Sequence, residues 1–291
     1  MQLATTTKIR VRPTGRAVGA DVLGADLGDL RDDDFQLIRE ALQDHLVLRL
    51  RGGAIDDEGF IGLARRFGEI EPPEGHTRTS EMTVPGFPEM SIISNLIEDG
   101  VARGEAGDGE LRWHTDHGFM ERPVALSMLL ARALPASGGD TSFANMYRAY
   151  EELPDALKRR IAGLEVKHQA SHSSTGKRRP GYQDLASDDP RDLPGAVHPI
   201  VRTHPETGRK GLYLGRRFGS YIPPLPLAAS EALLDELWDH ATREHLTWTQ
   251  RWQLGDLIVW DNRCTMHRRE GFAGHGLRRL HRLMTKGERP V

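Results

Sequence analysis

Two short polar motifs lie far apart in this chain, and together they constrain its fold more than any other feature. The first is Trp113-His114-Thr115-Asp116, and the second ends at His267. In an extended strand, residues i and i+2 point to the same face, so His114 and Asp116 can reach one ion together. Two imidazoles and one carboxylate, with open positions, form the ligand set of non-heme Fe(II) oxygenases. We therefore expect a fold that brings residues 114 and 267 together.

The content of glycine and proline favours strands joined by many turns. The 291 residues include 31 glycines and 17 prolines. Residues 197–204 and 210–214 flank a turn and predict a hairpin, while the apolar run 257–260 predicts a strand buried on both faces. A last strand is predicted over 277–285. Strands with irregular connections and helices packed outside indicate two sheets folded as a jelly roll, so we expect a mainly β protein.

Helical spacing of apolar residues predicts four helices, over 32–45, 57–67, 154–164 and 230–245. Ser230 is expected to cap the fourth helix. We find no linker and expect one domain over residues 1–291. Long loops in compact domains are usually functional or disordered. We expect active-site loops at 72–85, 97–111 and 168–196, and the last of these either covers the substrate or is a solvated loop.

The overall charge argues against nucleic acid or an anionic membrane as partner, because the formal net charge is only −3. The first eight residues lack the apolar core of a signal peptide. The longest apolar stretch, residues 125–134, is interrupted by Arg132 and is too short to span a bilayer. Cys264 is the only cysteine, which is compatible with a reducing compartment. We expect a cytoplasmic homo-oligomer with no nucleic-acid or membrane partner.

Further motifs stand at fixed distances from the two polar motifs. Thr141 lies 27 residues after His114, and Arg278 lies 11 residues after His267. With these residues the chain resembles the taurine dioxygenase and 2,4-dichlorophenoxyacetate dioxygenase family of Fe(II)- and 2-oxoglutarate-dependent oxygenases. The resemblance begins around residues 19–27, continues through 64–70 and ends at 278–290. It implies a double-stranded β-helix, the family's jelly roll, with the iron at one mouth.

The resemblance also implies roles for individual residues. His114, Asp116 and His267 would hold Fe(II), leaving positions for 2-oxoglutarate and O2. Arg278 would bind the distal carboxylate of 2-oxoglutarate through its guanidinium fork, and the Thr141 hydroxyl would add a hydrogen bond. The neighbouring Arg279 leaves a one-residue ambiguity, and the 11-residue spacing from His267 favours Arg278.

Arg282 lies four residues after Arg278 and shares its face of the strand. In the resembled family this position holds the acidic group of the prime substrate, which implies a small carboxylate, sulfonate or sulfate. His281 would point the other way and serve packing. The chain departs from the taurine pattern, which has His-Pro-x-Tyr where this chain reads Glu71 to His76, and Asn where it has Glu110. The stretches Ile93 to Asn95 and Trp260 to Cys264 resemble the aryloxyalkanoate branch more closely. His76 is a candidate for lining the substrate pocket.

Two other functions use the same residues. A zinc hydrolase could employ the same three ligands, although it would not require an arginine for a cosubstrate. A non-catalytic jelly roll that binds 2-oxoglutarate is the second alternative, and the intact ligand set disfavours it. Cys264, three residues before His267, could also be a metal ligand. We favour a small apolar role for it, because a thiolate does not suit an oxygen-activating Fe(II) set.

Overall fold

The computed structural model describes residues 8–73, 79–174 and 176–291. The helices are α1 (Asp32–His45), α2 (Asp57–Phe67), α3 (Met146–Glu151), α4 (Asp155–Ile161) and α5 (Leu227–Ala241). The strands are β1 (Arg10–Pro13), β2 (Ala20–Leu23), β3 (Val47–Leu50), β4 (Thr83–Val84), β5 (Phe87–Ser94), β6 (Ile97–Glu98), β7 (Val101–Ala102), β8 (Glu105–Ala106), β9 (Leu111–His114), β10 (Leu126–Ala133), β11 (Thr141–Asn145), β12 (Glu165–Gln169), β13 (Gly195–Pro199), β14 (Val201–Thr203), β15 (Lys210–Leu212), β16 (Thr247–Gln250), β17 (Leu257–Asp261), β18 (Thr265–Arg269) and β19 (Arg279–Met284).

Two mainly antiparallel sheets form the centre of the described structure. The larger has the order β1-β2-β3-β17-β10-β19-β5-β4, with β8 added beside β5, and the smaller has the order β16-β11-β18-β9. Their inner faces meet in one apolar cluster that includes Leu129, Phe143 and Trp260. The rings of Phe143, from the smaller sheet, and Trp260, from the larger, lie 5.5 Å apart. This is the predicted jelly roll.

The alternation of side chains along a strand explains how the helices attach. In β17, Ile258 and Trp260 face the smaller sheet, while Leu257 and Val259 join a second cluster with residues of α1 and α2. The prediction of a strand buried on both faces is therefore confirmed. Helices α3, α4 and α5 pack on the outer face of the smaller sheet in a third cluster, which includes Met266 of β18.

The first two helices begin and end where the sequence predicts, but the other two differ. The third is shorter, Asp155–Ile161, with Pro154 as its N-cap. The fourth begins at Leu227, so the prediction that Ser230 caps it was wrong. Pro226 precedes its first turn, where the fixed φ of proline favours a helix start. The buried Ser230 hydroxyl instead accepts a hydrogen bond from the backbone N–H of Ile222, at 2.9 Å.

The strand boundaries also need correction. The predicted hairpin is present as β14 and β15, but it is shorter than expected, because residues 195–199 form β13 and pair with β12. The segment 97–111, predicted as a loop, contains the short strands β6, β7 and β8. The last strand begins at Arg279, so Arg278 lies immediately before it. None of the described helices has the length and apolar character needed to cross a membrane.

Candidate active site

The pairing of β9 with β18 brings the two polar motifs together. His114 stands opposite His267 in the register of these strands, and their ring centroids are 4.2 Å apart. Oδ1 of Asp116 lies 3.6 Å from Nε2 of His114 and 3.8 Å from Nε2 of His267. All three side chains are buried, and their ligand atoms lie within 4.8 Å of one another. The sheet thus assembles two imidazoles and one carboxylate around a common point.

Asp116 does not lie in the same strand as His114, contrary to the prediction. Strand β9 ends at His114, and Asp116 belongs to the turn that follows, so the placement of both residues in one strand was wrong. The Thr115 N–H donates to the carbonyl of Gly215 at 2.9 Å, and the Thr115 hydroxyl donates to the carbonyl of Thr265 at 3.2 Å. These bonds fix the turn and carry Asp116 towards the histidines.

Hydrogen bonds orient each of the first two ligands. Nδ1 of His114 lies 2.6 Å from the carbonyl oxygen of Arg112, which can only accept, so Nδ1 carries the proton and Nε2 keeps its lone pair. Oδ2 of Asp116 accepts from the Ser127 hydroxyl at 2.8 Å, which leaves Oδ1 for the ligand side. Ser127 in turn accepts from the Asn262 amide at 2.8 Å. Ser127 carried no signal in the sequence, since it lies within the apolar run of β10.

The protonation states suit a divalent cation. Burial lowers the pKa of His114 well below its ordinary value, with repulsion between the two imidazoles as the next cause, and burial also lowers the pKa of His267. Burial alone would raise the pKa of Asp116, but His267, His114 and Arg282 outweigh it and hold the pKa below its usual range. Neutral imidazoles and an ionised carboxylate are the forms that bind metal. The residues therefore fit an Fe(II) ion.

A cavity of about 70 Å³ adjoins the three ligands and is lined by Thr141, Arg278 and Arg282 among others. Arg278 is only 2 % exposed, and its Nε has no hydrogen-bond partner within the described residues. Burial lowers its pKa to about 9, with repulsion from Arg269 as the second cause. The Thr141 hydroxyl accepts from Trp252 Nε1 at 3.1 Å. A buried guanidinium beside a hydroxyl is suited to a carboxylate ligand.

The structure also places the other residues of the last strand. Arg282 lines the same cavity as Arg278, but its Nη2 lies 2.9 Å from Oε1 of Glu105. His281 faces away, with Nδ1 at 2.8 Å from Oδ1 of Asp57 on α2. Arg279 does not line the cavity. His76, the other candidate for the substrate pocket, lies outside the described residues.

A larger cavity, of about 620 Å³, is lined in part by β9 but by none of His114, Asp116 and His267. Its walls come from β9, the predicted loop 168–196, residues 216–219 and α5, and include the side chains of Trp113, Phe218, Leu227 and Trp238. Arg216 also lines this cavity and follows Gly215, whose carbonyl accepts a hydrogen bond from Thr115 in the turn between His114 and Asp116. No sequence pattern singled out Arg216. Its only signal was the pair Arg216-Arg217, which follows the apolar residues 212–214 after one glycine.

A second group of possible ligands, His204, Asp261 and Cys264, serves a structural role. Asp261 is engaged by the guanidinium of Arg263, at 2.6 Å, and by Nε2 of His204, at 3.0 Å. Burial raises the pKa of the Cys264 thiol well above its ordinary value, with repulsion from Asp261 as the next cause. The Cys264 thiol is therefore protonated and lies apart from the three ligands around His114.

Comparison with known proteins places this geometry in context. The family model described as "Taurine catabolism dioxygenase TauD, TfdA family" matches residues 10–284. The alpha-ketoglutarate-dependent 2,4-dichlorophenoxyacetate dioxygenase of Burkholderia sp. is 34 % identical over 270 residues, covering 90 % of this chain and 89 % of that protein. The alpha-ketoglutarate-dependent sulfate ester dioxygenase of Pseudomonas putida is 33 % identical over 298 residues, covering 98 % and 91 %.

A solved structure agrees with these relatives. AAD-2 in complex with Mn(II) and N-oxalylglycine superimposes with a TM-score of 0.77 at 28 % identity, covering 98 % of this chain and 99 % of that one. The family model matches nearly the whole chain, and the two relatives named above are 34 % and 33 % identical to it. This chain belongs to the TauD/TfdA family of dioxygenases.

Proposed function

We propose that this protein is an Fe(II)- and 2-oxoglutarate-dependent dioxygenase that hydroxylates a small organic acid. The observation that carries the proposal is the position of His114, Asp116 and His267 beside a cavity lined by Arg278, whose buried Nε has no hydrogen-bond partner among the described residues. A zinc hydrolase has no use for such a cation. The relatives named above depend on alpha-ketoglutarate, which is 2-oxoglutarate. The intact ligand set likewise argues against a non-catalytic sensor.

The bound iron and 2-oxoglutarate would supply oxidation by O2, inserting one oxygen atom into a substrate C–H bond and releasing succinate and CO2. The chain's own residues bind and orient these components. His114, Asp116 and His267 would hold the ion through three ligand atoms, which would leave positions for 2-oxoglutarate and O2. Arg278 and Thr141 hold the distal carboxylate of 2-oxoglutarate. The hydrogen bond from Ser127 to Asp116 and the one from His114 to the carbonyl of Arg112 would keep the ligand atoms oriented towards the metal.

For the prime substrate we propose an acid of the aryloxyalkanoate, sulfate or sulfonate type. The names of the relatives specify a dichlorophenoxyacetate and a sulfate ester as their substrates. In this chain Arg282 lies on the cavity side and keeps its Nε without a partner among the described residues, so it contributes positive charge towards an acid. Where the hydroxylated carbon bears oxygen or sulfur, the product can collapse and release a phenol, an aldehyde or sulfite.

The remaining expectations stand as part of the same proposal. We propose one domain over residues 1–291, with active-site segments at 72–85, 97–111 and 168–196, of which 97–111 contains the short strands β6, β7 and β8. The last of these contributes Ser173, Ser174 and Asp188 to the wall of the larger cavity, which supports a role in covering the substrate. A cytoplasmic location and a homo-oligomeric state are also proposed. Cell fractionation and light scattering after size exclusion would test them.

The direct test is turnover with defined components. The purified protein with Fe(II), 2-oxoglutarate and ascorbate under air should consume O2 and form succinate when aryloxyalkanoates, alkyl sulfates or sulfonates are added. Replacing Fe(II) by Zn(II) should abolish this activity. Hydrolysis of an ester substrate by the Zn(II) protein, with no succinate from the Fe(II) protein, would instead establish a hydrolase.

A further inference from the structure

Three arginines, Arg269, Arg278 and Arg282, line the cavity beside the proposed metal ligands. Arg282 is paired with Glu105 at 2.9 Å, so a carboxylate already neutralises its charge. Among the residues that the structure describes, no carboxylate forms an ion pair with Arg269 or with Arg278. Arg278 has a proposed ligand, the distal carboxylate of 2-oxoglutarate, whereas Arg269 has none.

Arg269 lies on the inner face of the smaller sheet, next to other parts of the site. It follows His267 by two residues in β18, so the two side chains point to the same face. In the register of β18 with β11, Arg269 stands directly opposite Thr141. The side chains of directly opposite residues in an antiparallel pair begin roughly 5 Å apart. Arg269 is therefore a neighbour of the hydroxyl that we propose for the distal carboxylate of 2-oxoglutarate.

The hydrogen bonds of Arg269 leave part of its guanidinium available. The residue is only 3 % exposed. Its Nη2 donates to the carbonyl of Ala106, at 3.2 Å, and to the carbonyl of Gly109. Its Nε is buried and has no hydrogen-bond partner within the described ranges. A guanidinium carries five N–H groups, and both of these carbonyls are bound by Nη2, so the Nε side of the group can bind a ligand.

Arg269 and Arg278 are also close to each other. Their guanidinium carbons lie 5.0 and 5.8 Å from the centre of one buried ring, that of Phe272. Repulsion from Arg269 is the second cause, after burial, of the lowered pKa of Arg278. Two like charges at short range in a buried site repel strongly, and an anion close to both offsets this repulsion. The two arginines are therefore suited to share one carboxylate.

We propose that Arg269 is a second binding residue for the distal carboxylate of 2-oxoglutarate, which lies between the guanidinium groups of Arg269 and Arg278. The inference rests on the proposed function, because its ligand is the cosubstrate of that same site. The two arginines would select a 2-oxo acid that has a second carboxylate. A 2-oxo acid without one would leave two buried cations near each other with no counter-ion.

A matched pair of 2-oxo acids tests this selection by binding, separately from turnover. 2-Oxopentanoate has the chain length and the metal-binding end of 2-oxoglutarate, but a methyl group replaces the distal carboxylate. Each acid is titrated calorimetrically into the Mn(II)-loaded protein under nitrogen, and the wild type should prefer 2-oxoglutarate. Arg269→Gln should lower this preference by roughly ten- to a hundredfold, the range expected for one charge-assisted hydrogen-bonded pair. Arg269→Lys, which keeps a charge without the fork, should fall between them.

The same titrations separate binding from a purely structural role. If Arg269 only fastened the carbonyls of Ala106 and Gly109, its loss would weaken both acids equally and leave the preference unchanged. Arg268→Gln is the matched control, because Arg268 lies on the opposite face of β18, with its guanidinium carbon 5.4 Å from the Trp113 ring centre. This variant should keep the wild-type preference. An unchanged preference in both Arg269 variants, or an equal loss in Arg268→Gln, would overturn the inference.

A variant at the other arginine keeps the test decisive if the Arg269 variants fail to fold, which circular dichroism and thermal unfolding would show. Arg278→Gln leaves Arg269 as the unpaired guanidinium at that end of the cavity, so it should keep a measurable preference for 2-oxoglutarate. A complete loss of the preference in Arg278→Gln would overturn the inference, since Arg278 would then account for all of it.

Two further outcomes separate this inference from the proposed function. Should the preference depend on Arg269 as expected, but no acid of the panel give succinate with Fe(II) under air, the dioxygenase proposal fails and the binding residue stands. Should the wild type form succinate while both Arg269 variants keep the full preference, the dioxygenase proposal stands and the role of Arg269 is refuted.

Discussion

A Cβ atom on Gly215 would lie 1.9 Å from Nδ1 of His168, so the glycine and the buried imidazole are in direct contact. Gly215 also has a positive φ of 67°. Its carbonyl accepts the Thr115 N–H at 2.9 Å, in the turn that carries Asp116. Gly215 therefore contacts the buried His168 and also supports the turn that carries Asp116, a proposed metal ligand.

We predict that Gly215→Ala destabilises the protein and weakens divalent metal binding, because either His168 or the backbone at residue 215 must move. Gly208→Ala is the matched control, since its φ is 68° and no atom lies within 4 Å of its added Cβ. The control bears only the cost of a left-handed conformation, about 1–2 kcal/mol. Urea unfolding and Mn(II) titration would measure both effects. Equal stability and Mn(II) affinity in the two variants would contradict the prediction.

Ser127→Ala should weaken metal binding by roughly ten- to a hundredfold, the usual effect of losing an outer hydrogen-bond partner of a ligand. The change frees Oδ2 of Asp116 and leaves the Asn262 amide without its acceptor. Calorimetric titration with Mn(II) would show the effect. Ser142→Ala is the control, because that buried hydroxyl bonds to Thr249 at 2.8 Å and touches no ligand. A similar loss in both variants would mean that general destabilisation is the cause.

Arg278→Lys should raise the dissociation constant of 2-oxoglutarate by more than about tenfold, because an ammonium cannot replace the guanidinium fork. Arg279→Lys should have a much smaller effect, since Arg279 does not line the cavity. Titration of 2-oxoglutarate into the Mn(II) protein under nitrogen would compare them. The reverse order would show that the register of the last strand is shifted by one residue.

The pH dependence of stability should include a contribution from His168. Burial lowers its pKa to about 3, with repulsion from His198 as the next cause. Between pH 6.5 and 3 the unfolded chain binds a proton at this site while the folded protein does not, so falling pH favours unfolding. In His168→Leu the free energy of unfolding should decline less steeply over this interval, by up to about 1.4 kcal/mol per pH unit. An unchanged slope would contradict the assignment of a neutral buried imidazole.

The sequence predicted those features that a local pattern determines. Helices α1 and α2 match at both ends, because acidic first turns and regularly spaced apolar residues mark them. The proximity of residues 114 and 267 could also be predicted, because their side chains suit one metal ion and the motifs around them have a fixed spacing.

Features that depend on long-range pairing could not be predicted in the same way. Ser127 interrupts an apolar strand without any sequence signal, and its partner Asp116 follows β9 of the other sheet, so only the tertiary fold brings the two residues together. Arg216 follows a glycine, and its position beside β9 depends on a backbone bond to Thr115. The boundary of α5 was missed because Ser230 and Pro226 are both credible starts, and the packing of Ser230 against Ile222 decides between them.

The three proposed metal ligands belong to parts of the structure that can open independently. His114 and His267 face each other across hydrogen-bonded strands, whereas Asp116 lies beyond the end of β9, which is the edge strand of its sheet. A local opening of the turn would withdraw the carboxylate while the two imidazoles stay in place, and such openings need less free energy than global unfolding. We therefore expect metal to exchange through a two-histidine intermediate, at a rate that follows the hydrogen exchange of the Thr115 amide rather than that of the central strands.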